Sequence, residues 1–218
     1  MQKSLSAGNA GEKAKSAARG RPRAFDRQAA LAQATRLFWL KGYEGTSITD
    51  LTAVMGIGAT SLYAAFGSKD ALYVEALHHY GAEYDSRVWT NFFSACTARE
   101  AVMALLSDSA AALTSPAADM PSGCMVTLSS VGSEDHPELA KLVRSGRAAA
   151  LDRIESRLRQ AVAEKELSDL VDLHSLGRFI QAVLSGMSIL ARDGASPAEL
   201  QAIAEVAMLK WDATAGDP

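Results

Sequence analysis

Apolar residues recur along the chain at three- and four-residue intervals and never alternate over a long run, so the pattern predicts helices throughout. Over 26–41, Ala30, Ala34, Leu37 and Phe38 share one face, and Gly42 supplies a C-terminal stop. A second helix is predicted from Ser47, which stands in capping-box spacing to Asp50. Its inner face is Ile48, Leu51, Thr52 and Met55, and Gly56 breaks it. A third follows at once, anchored by Leu62 and Phe66 and ended by Gly67. Ser68 caps a fourth that carries Leu72, Ala76 and Leu77. Further on, Thr97 and Glu100 open a helix that closes before Pro116, and 123–130 is a short apolar helix candidate. Pro137 begins a long stripe over 137–166, and another helix is predicted over 172–192. Ser196, Pro197 and Glu199 open a last helix ending near Trp211, with a frayed tail after Asp212.

The third helix is unusual in its outward positions. Gly58, Ala59, Thr60, Ser61 and Ala64 are all small, and Tyr63 is the one large side chain among them. Small residues let a helix sink into the major groove of DNA, and Thr and Ser hydroxyls meet base edges or phosphates. Two short helices joined by a tight turn at Gly56, pinned inward by Ile57 and Leu62, form a helix-turn-helix. The Tyr63 hydroxyl is placed to reach a phosphate. Lys69 falls in the first turn of the fourth helix, where the helix dipole disfavours a cation, so an external anion accounts for it better. On spacing alone, a generic three-helix core with a polar outer face stays open as the alternative.

Charge sharpens the picture. The 218-residue chain carries a net −3, yet residues 1–30 hold seven Lys and Arg against Glu12 and Asp26. A basic arm on an acidic body fits a nucleic-acid binder. The N-terminus has no apolar targeting segment and no run is long enough to span a membrane, so a cytoplasmic, nucleoid-associated protein is expected. Cys96 and Cys124 form neither a disulfide framework nor a zinc pattern. No cofactor or metal is implied. A nucleophile–base pair drawn from Cys124, Asp135 and His136 has no sequential support, so an enzyme is not expected.

Taken together, Gly20 to Arg23, Ala34, Phe38, Gly42 to Ser47, Asp50, Leu51, Gly56, Ile57, Ser61 to Tyr63, Phe66 and Ser68 to Leu72 resemble the TetR-type bacterial transcriptional regulators. The resemblance implies an all-α homodimer. Each subunit would have a basic arm (1–19), a three-helix helix-turn-helix DNA-binding domain (20–70) and a helical ligand-binding and dimerisation domain (71–218). It implies phosphate contacts at Thr46, Ser47, Tyr63 and Lys69, and base-facing positions at Gly58, Ala59, Thr60 and Ser61. Arg21 and Arg23 would enter an A·T-rich minor groove.

In the C-terminal half, Trp89, Phe92, Phe93, Met103, Met120, Cys124, Met125 and Phe179 are candidate pocket residues. The helices over 137–166 and 172–192 are expected to form a four-helix bundle with a partner copy, through Ile154, Leu158, Phe179, Val183, Gly186 and Met187. The function expected is a repressor released from a palindromic operator in double-stranded DNA by a small molecule. Two alternatives stand beside it: a thiol or electrophile sensor using Cys124 near a helix N-terminus, and a ligand-independent architectural DNA binder.

Overall fold

A computed structural model of the chain describes residues 26–114, 120–129 and 135–215; the basic arm with Arg21 and Arg23 lies outside them. Among the described residues there are ten α-helices and no strand. The first three make the head: α1 (Arg27–Lys41), α2 (Ile48–Met55) and α3 (Ala59–Phe66). The Asp26 carboxylate accepts from the N–H groups of Gln28 and Ala29 to start α1, and a complete Ser47–Asp50 capping box starts α2. Packed against them is α4 (Lys69–Val88), a 20-residue helix about 30 Å long, started by the Ser68 hydroxyl. Leu72, Tyr73, Ala76, Leu77 and Tyr80 on its inner face are each 7% exposed or less. Tyr73 meets Phe38 edge-on at 5.0 Å and Tyr43 at 5.1 Å, closing an aromatic core between head and body.

The body consists of α5 (Thr90–Ser94), α6 (Ala98–Leu113), α7 (Met125–Leu128), α8 (Pro137–Ala163), α9 (Leu173–Arg192) and α10 (Pro197–Ala215). Its centre is α6, started by the Thr97–Glu100 capping box and buried through Ala101, Val102, Leu105, Leu106 and Leu113. Three boundaries differ from expectation. The apolar segment over 123–130 forms a single turn, because Gly123 at φ +80° breaks it before and Ser129 is extended after. α8 stops at Ala163, where Lys165 turns left-handed at φ +63° and Leu167 tucks back to 4% exposure. The buried Arg157 holds that reversal by donating to the Cys96 carbonyl at 3.2 Å and Glu166 at 3.3 Å. The last helix runs past Trp211 to Ala215, beyond the point where fraying was expected.

Three polar links join head to body. The Trp39 indole N–H donates to the Gly123 carbonyl at 3.0 Å. The Arg192 guanidinium, at the end of α9, donates to Ser122 at 2.8 Å and to the Trp39 carbonyl at 3.0 Å. The Tyr43 hydroxyl donates to Asp70, whose other oxygen lies 3.5 Å from His136 Nδ1 at the start of α8.

Gly56 and Gly123 both occupy positive φ, but a Cβ at Gly56 would meet nothing within 4 Å, whereas one at Gly123 would lie 2.7 Å from the Ser188 carbonyl. Gly56→Ala therefore carries only the left-handed penalty, about 1–2 kcal/mol, or roughly 2–8 °C in melting temperature. Gly123→Ala adds a backbone overlap and is expected to lower the melting temperature further; thermal unfolding of the two variants side by side checks the order.

Candidate DNA-reading surface and effector cavity

Residues 56–66 assemble the reading surface. Gly56 at φ +65° ends α2, and the Ile57 N–H returns to the Thr52 carbonyl at 3.1 Å. α3 then turns Leu62 and Phe66 inward, at 0% and 4% exposure. Gly58, Ala59, Thr60, Ser61, Tyr63 and Ala64 face solvent, as the sequence pattern requires. Gly58 is informative because its φ of −78° suits any residue and a Cβ there would meet nothing within 4 Å among the described residues. Neither strain nor internal packing explains a glycine at this position, which leaves room for something approaching from outside.

Arg27 aims α3. Its guanidinium pairs with Glu75 of α4 at 2.7 Å, donates to the Ala65 carbonyl at 3.3 Å and covers the Phe66 ring at 4.4 Å. One side chain of α1 thus fixes the C-terminal end of α3 against α4.

The expected phosphate ligands separate into two groups. Tyr63 is 47% exposed, and among the described residues no group hydrogen-bonds its hydroxyl. Ser47 is exposed, with a hydroxyl that donates to Asp50 Oδ2 at 2.8 Å while accepting from the Asp50 N–H. The Ser47 backbone N–H, which donates to Asp50 Oδ2 at 3.1 Å, and then the Ser47 hydroxyl hold the Asp50 carboxyl below its ordinary pKa. Thr46 requires a correction: it is 1% exposed, and its hydroxyl is spent on the Gly42 carbonyl at 2.6 Å, so it braces the turn between α1 and α2 and offers no side-chain contact to DNA. Lys69 has an internal partner that the sequence did not reveal, with Nζ lying 4.1 Å above the Tyr43 ring. That contact compensates a cation at a helix start without any external anion.

Behind the head, α4, α6, α7, α8 and α9 line a half-open cavity of about 1190 Å³. Its wall is mostly apolar, from Leu77, Val88, Trp89, Leu105, Val143 and Ile154. Arginines on α8 and α9 line one side; Arg153 pairs with Asp85 at 2.8 Å and lies 5.0 Å from the Trp89 ring centre.

Of the expected pocket residues, Trp89 and Cys124 line this cavity. Phe92 and Met125, at 1% exposure each, sit in the core instead. Phe93 is 64% exposed at the surface, Met103 and Met120 pack against the core away from the cavity, and Phe179 lies on the outer face of α9. Three polar residues of the wall, Tyr80, Ser109 and Arg147, escaped the reading of the sequence because each stands in a helical stripe that reads as core or solvated face. Among the described residues no cluster of His, Cys, Asp and Glu has a metal-binding arrangement.

Comparison with known proteins places both halves. Residues 30–76 match the family described as bacterial regulatory proteins, tetR family, and residues 98–207 match the tetracyclin repressor-like C-terminal domain. The HTH-type transcriptional repressor ComR of Escherichia coli (strain K12) is 35% identical over 196 residues, covering 88% of this chain and 92% of ComR.

The chain belongs to the TetR family.

The uncharacterized HTH-type transcriptional regulator YezE of Bacillus subtilis (strain 168) is 27% identical over 195 residues, 88% of this chain and 100% of that one. Among solved structures, a cysteine mutant of the TetR family regulator CifR, in complex with 26-bp double-strand operator DNA, superposes with a TM-score of 0.80 at 37% identity. It covers 87% of this chain and 98% of CifR.

The outer face of α9 and α10 is apolar, and it overlaps the expected interface only in part, at Phe179, Val183 and Gly186. Ile154, Leu158 and Met187 are each 0% exposed inside the protomer, so they cannot meet a partner copy. The stripe of α8 is used up against α6 and α9. On α9 and α10, by contrast, apolar side chains face outward: Phe179 at 38%, Leu190 at 42%, Val206 at 65% and Leu209 at 68% exposure. Val183 and Phe179 line a shallow groove between these two helices with Ile203 and Val206, and a Cβ on Gly186 would meet nothing within 4 Å.

Asn is as good an N-cap as Gly or better, so Gly58→Asn is expected to leave the melting temperature unchanged or slightly raised. The same substitution fills the approach to α3 and is expected to weaken binding to operator DNA by about 1–3 kcal/mol. Circular dichroism melts paired with fluorescence-anisotropy binding separate the two effects.

Proposed function

We propose that the protein is a homodimeric transcriptional repressor of the TetR family that leaves its palindromic operator when a small molecule enters the body cavity. The observation that carries the reading is the continuity of α4. Its first turn abuts the DNA-reading helices, and Leu77, Tyr80, Tyr84 and Val88 further along it line the cavity. A ligand that prefers one setting of this helix shifts the spacing of two reading helices in a dimer, and differential affinity for the two states is the only lever it has.

Within this reading, Gly58, Ala59, Thr60 and Ser61 face the bases. Ser47 and Tyr63 face phosphates, Lys69 stays at their edge, and Arg21 and Arg23 lie in the adjacent minor groove. CifR bound to its operator supports the DNA-facing assignment at 37% identity. Dimerisation runs through the exposed α9–α10 face, with Phe179, Val183 and Gly186 kept from the expected interface and Val206 and Leu209 added to it. A second reading, in which the effector reacts with a thiol, is favoured by one observation: Cys124 lines the cavity beside Tyr80.

Binding of the chain's own upstream DNA is the direct test. Tyr63→Phe is expected to cost about 1 kcal/mol of affinity on every sequence, since its hydroxyl has no partner among the described residues. The double variant Arg21→Ala, Arg23→Ala is expected to lower the salt-dependence slope by about 2. Equal binding to all DNA by the unaltered protein would defeat the repressor reading. At the opposite end, Val206→Glu with Leu209→Glu is expected to give a folded monomer by sedimentation, with operator affinity lost; a retained dimer would place the interface elsewhere.

A further inference from the structure

Two hydroxyl groups in the cavity wall have no well-aligned partner among the described residues. Tyr80 Oη and Ser109 Oγ are each buried to less than 1 Å² of accessible surface, and among the described residues neither has a partner in good hydrogen-bond geometry: Tyr80 makes only a loose approach to the Cys124 side chain and the Met125 backbone, and Ser109 to the Tyr84 hydroxyl. Tyr80 is 3% exposed and Ser109 1%, and both residues line the cavity. A buried hydroxyl left unpaired costs about 1–3 kcal/mol, so two in one wall are a standing destabilisation that internal packing does not explain. They stand on neighbouring helices, α4 and α6, with Tyr84 beside Ser109 and Cys124 beside Tyr80.

The surroundings decide what they accept. Burial raises the pKa of Tyr80 and of Tyr84 well above the ordinary phenol range, so both remain neutral donors. The groups that act on the two phenols are each other, Cys124, Ser109, Asp85 and the backbone at Met125; none is a cation. A carboxylate or phosphate seated here would be desolvated without a countercharge, near Asp85. The arginines that line the cavity, Arg144, Arg147, Arg153 and Arg178, sit on α8 and α9; Arg153 is paired with Asp85, Arg147 donates to the Val126 and Ser129 carbonyls, and Arg178 donates to Gln181. Away from the arginine side the wall is mostly apolar, and the volume exceeds that needed by most small effectors.

We propose that the effector is an apolar molecule bearing an uncharged oxygen acceptor, a carbonyl or ether-type oxygen, and that it seats this oxygen on the hydroxyl donors of Tyr80 and Ser109. The proposal rests on the effector reading above and names the class of molecule. It also supplies a route for the signal. Because so little of either hydroxyl is open, an incoming oxygen presses on the neighbouring Cys124 segment. There the Cys124 N–H is held by Ser188 Oγ at 2.8 Å and the Gly123 carbonyl holds Trp39 of α1 at 3.0 Å.

The test uses three matched probes on the full chain: 2-acetonaphthone, 2-ethylnaphthalene and 2-naphthoate, with binding followed by calorimetry. The ketone is expected to bind tightest, and Tyr80→Phe and Ser109→Ala are each expected to weaken it about fivefold to tenfold while leaving the hydrocarbon unchanged. Without ligand, the same variants are expected to raise the melting temperature by about 2–4 °C, because each removes an unpaired buried hydroxyl. Tightest binding by the naphthoate, equal binding of ketone and hydrocarbon, no binding by any probe, or a fall in melting temperature would each overturn the proposal. Operator binding without ligand is measured first on the same samples. If it is absent, the repressor reading has failed; if it is intact while the ketone pattern is absent, only the effector class has failed.

Discussion

The burial of one helix face governs this molecule. From Leu72 to Tyr80 the inner side of α4 is closed to solvent, first by Phe38 and Tyr43 of the head and then by the body. The same 20-residue rod is therefore a structural member of two units at once. Interiors packed at crystal-like density do not deform smoothly, so a displacement at one end of such a rod is carried to the other. The head cannot be re-aimed without repacking Tyr73 and its aromatic neighbours.

Polar groups at the seam give that coupling direction. Trp39 and Arg192 tie α1 to the turn at 122–123 and to the end of α9, and Asp70 gathers Tyr43 and His136 at the junction of three elements. Each of these partners is a backbone carbonyl or a part-buried side chain, where a lost hydrogen bond costs more than it would at the surface. Arg27 performs the corresponding task inside the head by joining α1, α3 and α4.

Local chemistry was legible in the sequence, and pairing across space was not. The capping boxes at Ser47, Thr97 and Ser196 lie within four residues of their partners, and all three form in the structure. The outward small face of α3 followed from the inward pair Leu62 and Phe66. Thr46 shows the limit: nothing nearby in sequence tells whether a turn hydroxyl faces solvent or its own Gly42 carbonyl. The stripes of α8 and α9 posed a similar ambiguity. Periodicity reports that Ile154 and Leu158 are hidden, but not whether a second copy or the protomer itself hides them. α5, at five residues, is too short to leave a periodic signal. Tyr80 and Ser109 were overlooked because a buried hydroxyl in a helical stripe looks like core until its missing partner is seen.

Gly58 carries an evolutionary consequence. The residues at the front of α3 have no duties inside the protein: a side chain at 58 meets nothing, and Ala59, Thr60 and Ser61 point away from the core. Changes there cost the fold little, so the stability threshold that constrains most positions does not constrain these. A gene copy is thus free to acquire a new genomic address while keeping its sensor, and the cavity is free to change its chemical vocabulary while keeping the address. The two halves of the regulatory decision can drift independently, held together only by the helix they share.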